Sequence, residues 1–276
     1  MTTPEITLNN GVRIPQVGFG VYQIPEHETE AATTTALQAG YRHIDTASVY
    51  GNEAGVGAAV KSSAVGRENI FVTTKVWNGD QGYDATLEAF GASTQRLGLD
   101  VVDLLLIHWP VPKYDLYVQT WRAMIDMQGD GRVRAIGVSN FQPNHLRRLI
   151  DETAVVPAIN QIELHPYLPQ AELRAVHAEL GIATEAWAPL ARAGDIFEAP
   201  PVVAASRRSG KTPAQVVLRW QLQLGNVLIP KSVTPSRIAE NIDIFDFELT
   251  DDEMRAIEAL STGERIGPDP DRFNLR

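Results

Sequence analysis

Five residues between positions 43 and 108 have the types and spacing needed for proton chemistry at a carbonyl. The stretch GYRHIDTASVYGNE, residues 40–53, carries His43, Asp45 and Tyr50; Lys75 follows in VTTKVW and His108 in LLLIHWP. A free tyrosine ionises near pH ~10, too high for efficient proton donation and recovery near neutrality, and a cation beside it favours the phenolate. Lys75 can supply that cation, with Asp45 keeping the ammonium charged and oriented. Lowering a tyrosine by about 2 pKa units needs roughly 3 kcal/mol, within the range of one partly desolvated charge pair. His108, followed by Trp109, can donate a hydrogen bond to a carbonyl in a mostly apolar pocket. Taken singly, each residue also has a structural reading: Asp45 as a turn cap, Lys75 reaching for solvent, His108 in a core, Tyr50 anchoring a loop. Only their convergence argues for a site.

That convergence depends on the elements that carry them. Short apolar runs of strand character recur as QVGFGVY, YRHIDT, IFVTTKV, VDLLLIHW, VRAIGVSN, AINQIEL, IATEAWAPL and NVLIPKS, eight in all. Helical patterns lie between them, as in HETEAATTTALQAG, NEAGVGAAVKSSAV, YDATLEAFGASTQRLG, YVQTWRAMIDMQGDG and TPAQVVLRWQLQLG. Strand–helix alternation implies parallel strands, and eight such units in an unbroken chain predict an α/β fold, a single (β/α)8 TIM barrel over residues 1–276. Asn10-Gly11, inside an alternating segment, predicts a short N-terminal β-hairpin with a tight turn. In such a barrel active sites lie at the C-terminal strand ends, where the second, third and fourth strands place Asp45, Lys75 and His108, with Tyr50 in the loop after the second. His43 sits two residues before Asp45, on the same side but deeper, and is given no chemistry.

Composition narrows the classes. A net charge of -10 disfavours broad nucleic-acid binding. The absence of cysteine removes disulfides, thiolate nucleophiles and sulfur-bound zinc. Neither a secretory pattern nor a membrane-length apolar run is present, so a cytoplasmic protein without membrane association is expected. The G-x-G-x-x-G fingerprint of a Rossmann sheet is missing: GFGVYQ lacks the third glycine, and GVGAAV lies inside a helical pattern. The six histidines offer no H-x-H pair or other recognised ligand spacing, so no metal site is expected and a metal-dependent barrel hydrolase is disfavoured. His165, in ELHPY, is read as structural.

These segments resemble the signature regions of the aldo-keto reductase superfamily, with IPKSVTPSRIAENIDIFDFEL resembling a further one, in order along nearly the whole chain. The resemblance is strongest to prokaryotic members similar to 2,5-diketo-D-gluconate reductases. It implies a barrel that binds NADPH in extended form without a Rossmann motif, and reduction of aldehydes or ketones by hydride transfer. It makes Tyr50 the general acid, Lys75 and Asp45 the pair that tunes it, and His108 the group that orients the carbonyl. For the cofactor it implies Ser139, Asn140 and Gln161 at the nicotinamide carboxamide and Trp187 stacked on the ring, with Gly20, Val21, Tyr22, Asp45 and Leu190 also lining the cofactor. Lys231, Ser232 and Arg237 correspond to a 2'-phosphate site, an inference strengthened by finding a basic cluster in an acidic chain; Val233, Glu240 and Asn241 lie beside it, the last two toward the adenine. Tyr22, Trp77, His108 and Trp109 would wall the substrate pocket.

The resemblance also implies a small carbonyl substrate and a monomer. The tail GPDPDRFNLR is read as too short to close over substrate, giving an open pocket, and WAPLARAG as a brief loop after the seventh barrel strand. The rival class is an NADP(H)-binding regulatory subunit that senses redox state with little turnover; the complete set of four residues argues against it.

Overall fold

The computed structural model of the chain describes residues 3–276; residues 1 and 2 of the expected domain lie outside that range. The chain opens with β1 (Glu5–Thr7) and β2 (Arg13–Pro15), an antiparallel hairpin with Thr7 opposite Arg13. Its turn is wider than the expected two-residue type. Leu8 and Val12 close it, and of its residues Gly11 alone takes a positive φ, 84°. The reason lies in the asparagines, whose side chains are drawn down onto the barrel floor: Asn9 donates to the Pro157 carbonyl and Asn10 to that of Arg134, each at 3.0 Å.

Eight parallel strands follow: β3 (Phe19–Gly20), β4 (His43–Asp45), β5 (Phe71–Val76), β6 (Val102–Ile107), β7 (Val133–Ser139), β8 (Ile159–Glu163), β9 (Ala183–Trp187) and β10 (Val227–Leu228). Each pairs with the next in sequence order. The sheet closes because Val17, just before β3, bridges Leu228 in β10, with the Gly18 amide on the Leu228 carbonyl at 2.8 Å. The expected closed barrel is therefore present.

Helices alternate with the strands: α1 (Glu26–Ala39), α2 (Glu53–Ser62), α3 (Tyr83–Leu97), α4 (Tyr117–Gly129), α5 (Pro143–Thr153), α6 (Ala171–Leu180), α7 (Pro200–Ser209), α8 (Pro213–Gln223), α9 (Pro235–Ile242) and α10 (Asp251–Glu258). β9 is followed by both α7 and α8, and α10 comes after the last strand–helix unit.

Side chains alternate across each strand, so the period of two sorts every strand into an inner and an outer face. Outward residues such as Ile44, Val72, Leu105, Ile107, Ile136 and Val138 join the core under the helices. Inward residues at the lower end, including Phe71, Leu104, Leu106, Ala135 and Ile159, form a second core plugged by Leu8 and Ile14 of the hairpin region. The same alternation carries His43 and Asp45, Thr73 and Lys75, Gln161 and Glu163, and Glu185 and Trp187 onto the inner face at successively higher levels. Apolar filling below and polar groups above give the barrel one chemically active end.

Candidate active site

Lys75, 1% exposed, lies inside the upper barrel and spends two of its three N–H donors on protein: Asp45 Oδ1 at 2.6 Å and the Thr46 carbonyl at 2.9 Å. Its Nζ sits 5.2 Å from the centroid of the Tyr50 ring. Burial pulls the ammonium pKa down, but Asp45, joined by Tyr50 and Glu185, more than offsets it and the net shift is upward. Lys75 therefore stays charged, as the sequence reading requires.

Tyr50 ends a short turn of 3-10 helix, Ser48–Tyr50, that is tied to the third barrel strand by the Ser48 hydroxyl on the Lys75 carbonyl at 3.0 Å. Burial pushes its phenol up to about 12, with Lys75 pulling down and Asp45 pushing up. This corrects the expectation that the lysine lowers the tyrosine below its free value: desolvation outweighs the cation. The outcome is a phenol firmly protonated at neutral pH.

His108 follows β6 and stands edge-on to both Tyr50 and Trp77, with ring centroids 5.7 and 5.2 Å apart. Burial, then the charge of Lys75, holds its pKa well below the usual histidine range. It is a neutral imidazole whose Nδ1 is buried without a partner, so Nε2 is the ring nitrogen open to the pocket. Tyr22 lies 5.0 Å from Tyr50 by ring centroids, which completes a continuous row from Tyr22 through Tyr50 and His108 to Trp77. Trp109 is buried against Phe273 at 4.5 Å.

The tail does more than its length suggested. Besides Phe273 against Trp109, the Leu275 carbonyl accepts from Asn78 at 2.7 Å and Asn274 Oδ1 accepts from the Lys113 amide at 2.9 Å. One wall of the pocket is thus closed by the tail, and the open side is where Tyr22 and Val49 are 49% and 43% exposed.

The expected carboxamide residues form one connected set. Ser139 donates to the Gln161 carbonyl at 2.9 Å, and Asn140, at a positive φ of 63°, donates to the His108 carbonyl and to Ser139 Oγ at 3.0 Å each. Its Oδ1 accepts from Trp187 Nε1 at 2.8 Å. Gln161 spends its amide hydrogens on Asp45 Oδ2 at 2.8 Å and Glu185 Oε2 at 2.9 Å, so it presents its oxygen outward as an acceptor. Leu190 is half-buried against the helix-side core, in a loop whose Ala188, Ala191, Arg192 and Ala193 all take positive φ.

Gly20 and Val21 lie on the rim, the Val21 amide bonded to the Asp45 carbonyl at 3.0 Å. A Cβ on Gly20 would meet the Ile229 carbonyl at 3.1 Å, so β3 and the end of β10 approach closely there. Lys231 and Arg237 are exposed at the start of α9, and neither is in an ion pair among the described residues. Ser232 and Glu240 are half-buried, Val233 is exposed and Asn241 is buried; Glu240 Oε1 already accepts from Thr212 at 2.6 Å.

Glu185 was missed. It is fully buried beneath the four central residues, in register with Gln161 on the neighbouring strand. Burial, reinforced by Asp45, raises its carboxyl to about 8, while Gln161 and Lys75 pull the other way. His43 Nε2 lies 3.8 Å from Glu185 and 3.0 Å from Thr73 Oγ1, and burial followed by Lys75 lowers that histidine to about 3. His43 is deep and neutral, as expected. The available signal for Glu185 was its position two residues before Trp187 on the inward face.

The sequence model described as "Aldo/keto reductase family" matches residues 16–196 and 198–262. An aldo-keto reductase of Mycolicibacterium smegmatis is 59% identical over 273 residues, 99% of this chain and 99% of that protein. Methylglyoxal reductase DkgA of Escherichia coli (strain K12) is 51% identical over 97% of each. The crystal structure of a Gox0644 mutant in complex with NADPH superposes with a TM-score of 0.95 at 44% identity, covering 100% of both chains. The fold, the order of its motifs and these end-to-end likenesses agree, and the chain belongs to the Aldo/keto reductase family.

Proposed function

We propose that this protein reduces small aldehydes and ketones to alcohols with NADPH, with Tyr50 as the general acid. The observation that carries the reading is the buried, charged Lys75–Asp45 pair beside a protonated Tyr50 and a neutral His108 at one barrel end. The residues present fit the cofactor. Trp187 offers a half-buried ring, Gln161 an acceptor oxygen for the carboxamide, and Lys231 with Arg237 two unpaired cations for a 2'-phosphate.

When bound, NADPH supplies the hydride that adds to the carbonyl carbon. His108 Nε2 and the Tyr50 hydroxyl converge on the carbonyl oxygen, and Tyr50 passes its proton there as negative charge develops. Lys75 stabilises the phenolate left behind, and Asp45 keeps that ammonium in place. NADPH in complex with a structural neighbour supports the cofactor, and the DkgA relatives, which are methylglyoxal reductases, support an α-dicarbonyl or simple aldehyde as substrate. Tyr22, Trp77, Trp109 and Phe273 suit a small molecule with an apolar part.

The test is purified protein with NADPH and a panel of aldehydes, α-dicarbonyls and keto sugars, followed by loss of nicotinamide absorbance. Turnover on the panel is expected. Tight NADPH binding with no turnover on any carbonyl would favour the redox-sensing role instead.

A further inference from the structure

Trp187 is gripped at two edges. On one, its Nε1 donates to Asn140. On the other lies the backbone of the tail at Gly267, where a Cβ would stand 2.5 Å from Trp187 Cη2 and 3.2 Å from Cζ2. Gly267 is not in the left-handed region, so a side chain is barred there by space and not by backbone conformation.

What seats the tail at that edge is Glu163, the last residue of β8 and the register partner of Trp187. Its carboxylate is 1% exposed. Oε1 accepts from the Ile266 amide at 2.5 Å and from His165 Nε2 at 3.0 Å, and Oε2 accepts from the Gly267 amide at 2.9 Å. Two tail amides and an imidazole thus converge on two acceptor oxygens, which a carboxylate satisfies and a carboxamide does not. From this anchor the tail runs on to Phe273 against Trp109.

We propose that Glu163 is a positioning residue for cofactor binding: by holding the Ile266 and Gly267 amides it seats the tail against Trp187 and fixes the ring that backs the nicotinamide. The inference rests on the reading of Trp187 as that backing. Glu163→Gln removes an acceptor and turns its NH2 toward a tail amide. Gly267→Ala keeps the carboxylate but sets a Cβ 2.5 Å from the indole and 3.0 Å from Glu163 Oε2, so the tail must shift off both. The two variants disturb one seat, the first from the acceptor and the second from the tail.

The experiment compares wild type, Glu163→Gln, Gly267→Ala and Trp187→Ala. It reads NADPH dissociation constants, kcat and KM, and amide hydrogen exchange of residues 262–276 in the cofactor-free protein. Both tail variants are expected to weaken NADPH by about tenfold, the scale of one lost hydrogen bond to a charged group. They should also speed exchange in the tail, while kcat at saturating NADPH stays within about threefold of wild type. NADPH affinity unchanged in Glu163→Gln and Gly267→Ala but weakened in Trp187→Ala would overturn the proposal. Affinity unchanged in Trp187→Ala as well would overturn the reading of Trp187 beneath it, and the proposal with it.

Discussion

Replacing Glu185 by glutamine should flatten the fall in stability between about pH 4.5 and about 8. The carboxyl sits in the barrel interior with Gln161 on one oxygen, His43 at 3.8 Å from the other, and Asp45 sharing Gln161's amide. Burial and the Asp45 charge raise it from the ordinary 4.5 to about 8. Because the folded value exceeds the unfolded one, the folded state binds the proton more tightly. That contribution is fully present below the unfolded value and is lost as pH rises through the folded one. Each pH unit in that window costs about 1.4 kcal/mol, so the roughly three and a half units from 4.5 to about 8 sum to about 5 kcal/mol. In a chain of this size 1 kcal/mol moves Tm by about 2–4 °C, so the difference should reach about 10 °C or more. Glutamine matches the neutral carboxyl in shape, can accept from Gln161 and does not titrate. The assay is thermal unfolding by circular dichroism of both proteins from acid to alkaline pH. Wild type should lose Tm more steeply than Glu185→Gln as pH rises from about 4.5 to about 8, with no further divergence above that. Parallel curves, or a gap that narrows with rising pH, would refute the account of Glu185 as a buried neutral acid.

Two further outcomes are expected. Replacing Lys231 and Arg237 together by alanine should weaken NADPH on the order of 100-fold and leave NADH affinity nearly unchanged, because two charge-assisted contacts to a 2'-phosphate would be lost; fluorescence titration with both cofactors checks this. Asp103 is buried in β6 and accepts from Arg67 at 2.6 Å, Arg134 at 2.8 Å and the Val72 amide at 2.9 Å. Asp103→Ala should cost about 3 kcal/mol, the low end for a broken buried pair because both arginines reach solvent. Urea unfolding measures the loss, and turnover per folded molecule should be unchanged.

The four central residues were legible because strand periodicity and barrel geometry place them without any knowledge of contacts. Asp45, Lys75 and His108 end successive strands, and the structure brings them together with Tyr50. The same period put His43 one level down. What sequence could not supply was the balance of effects at Tyr50, where desolvation and Lys75 oppose each other and only the packed environment decides the sign. Glu185 was overlooked because a lone carboxylate in a strand gains meaning from Asp45 and His43, remote in sequence. Glu163 depends in the same way on tail amides about a hundred positions later. Among the helices not read individually, α10 had a local signal: Thr250 and Glu253 form a capping box, spelled TDDE in the sequence.

Single-turnover hydride transfer by Tyr50→Phe tests the central claim most directly. Protein loaded with NADPH is mixed with excess methylglyoxal and the loss of nicotinamide absorbance is followed beside wild type. Phenylalanine keeps the ring against His108 and Tyr22 and removes only the proton donor. NADPH affinity should be retained while the transfer rate falls by about 100-fold to 10,000-fold, the range for loss of a positioned general acid. Transfer at the wild-type rate would contradict the assignment of Tyr50 as the acid.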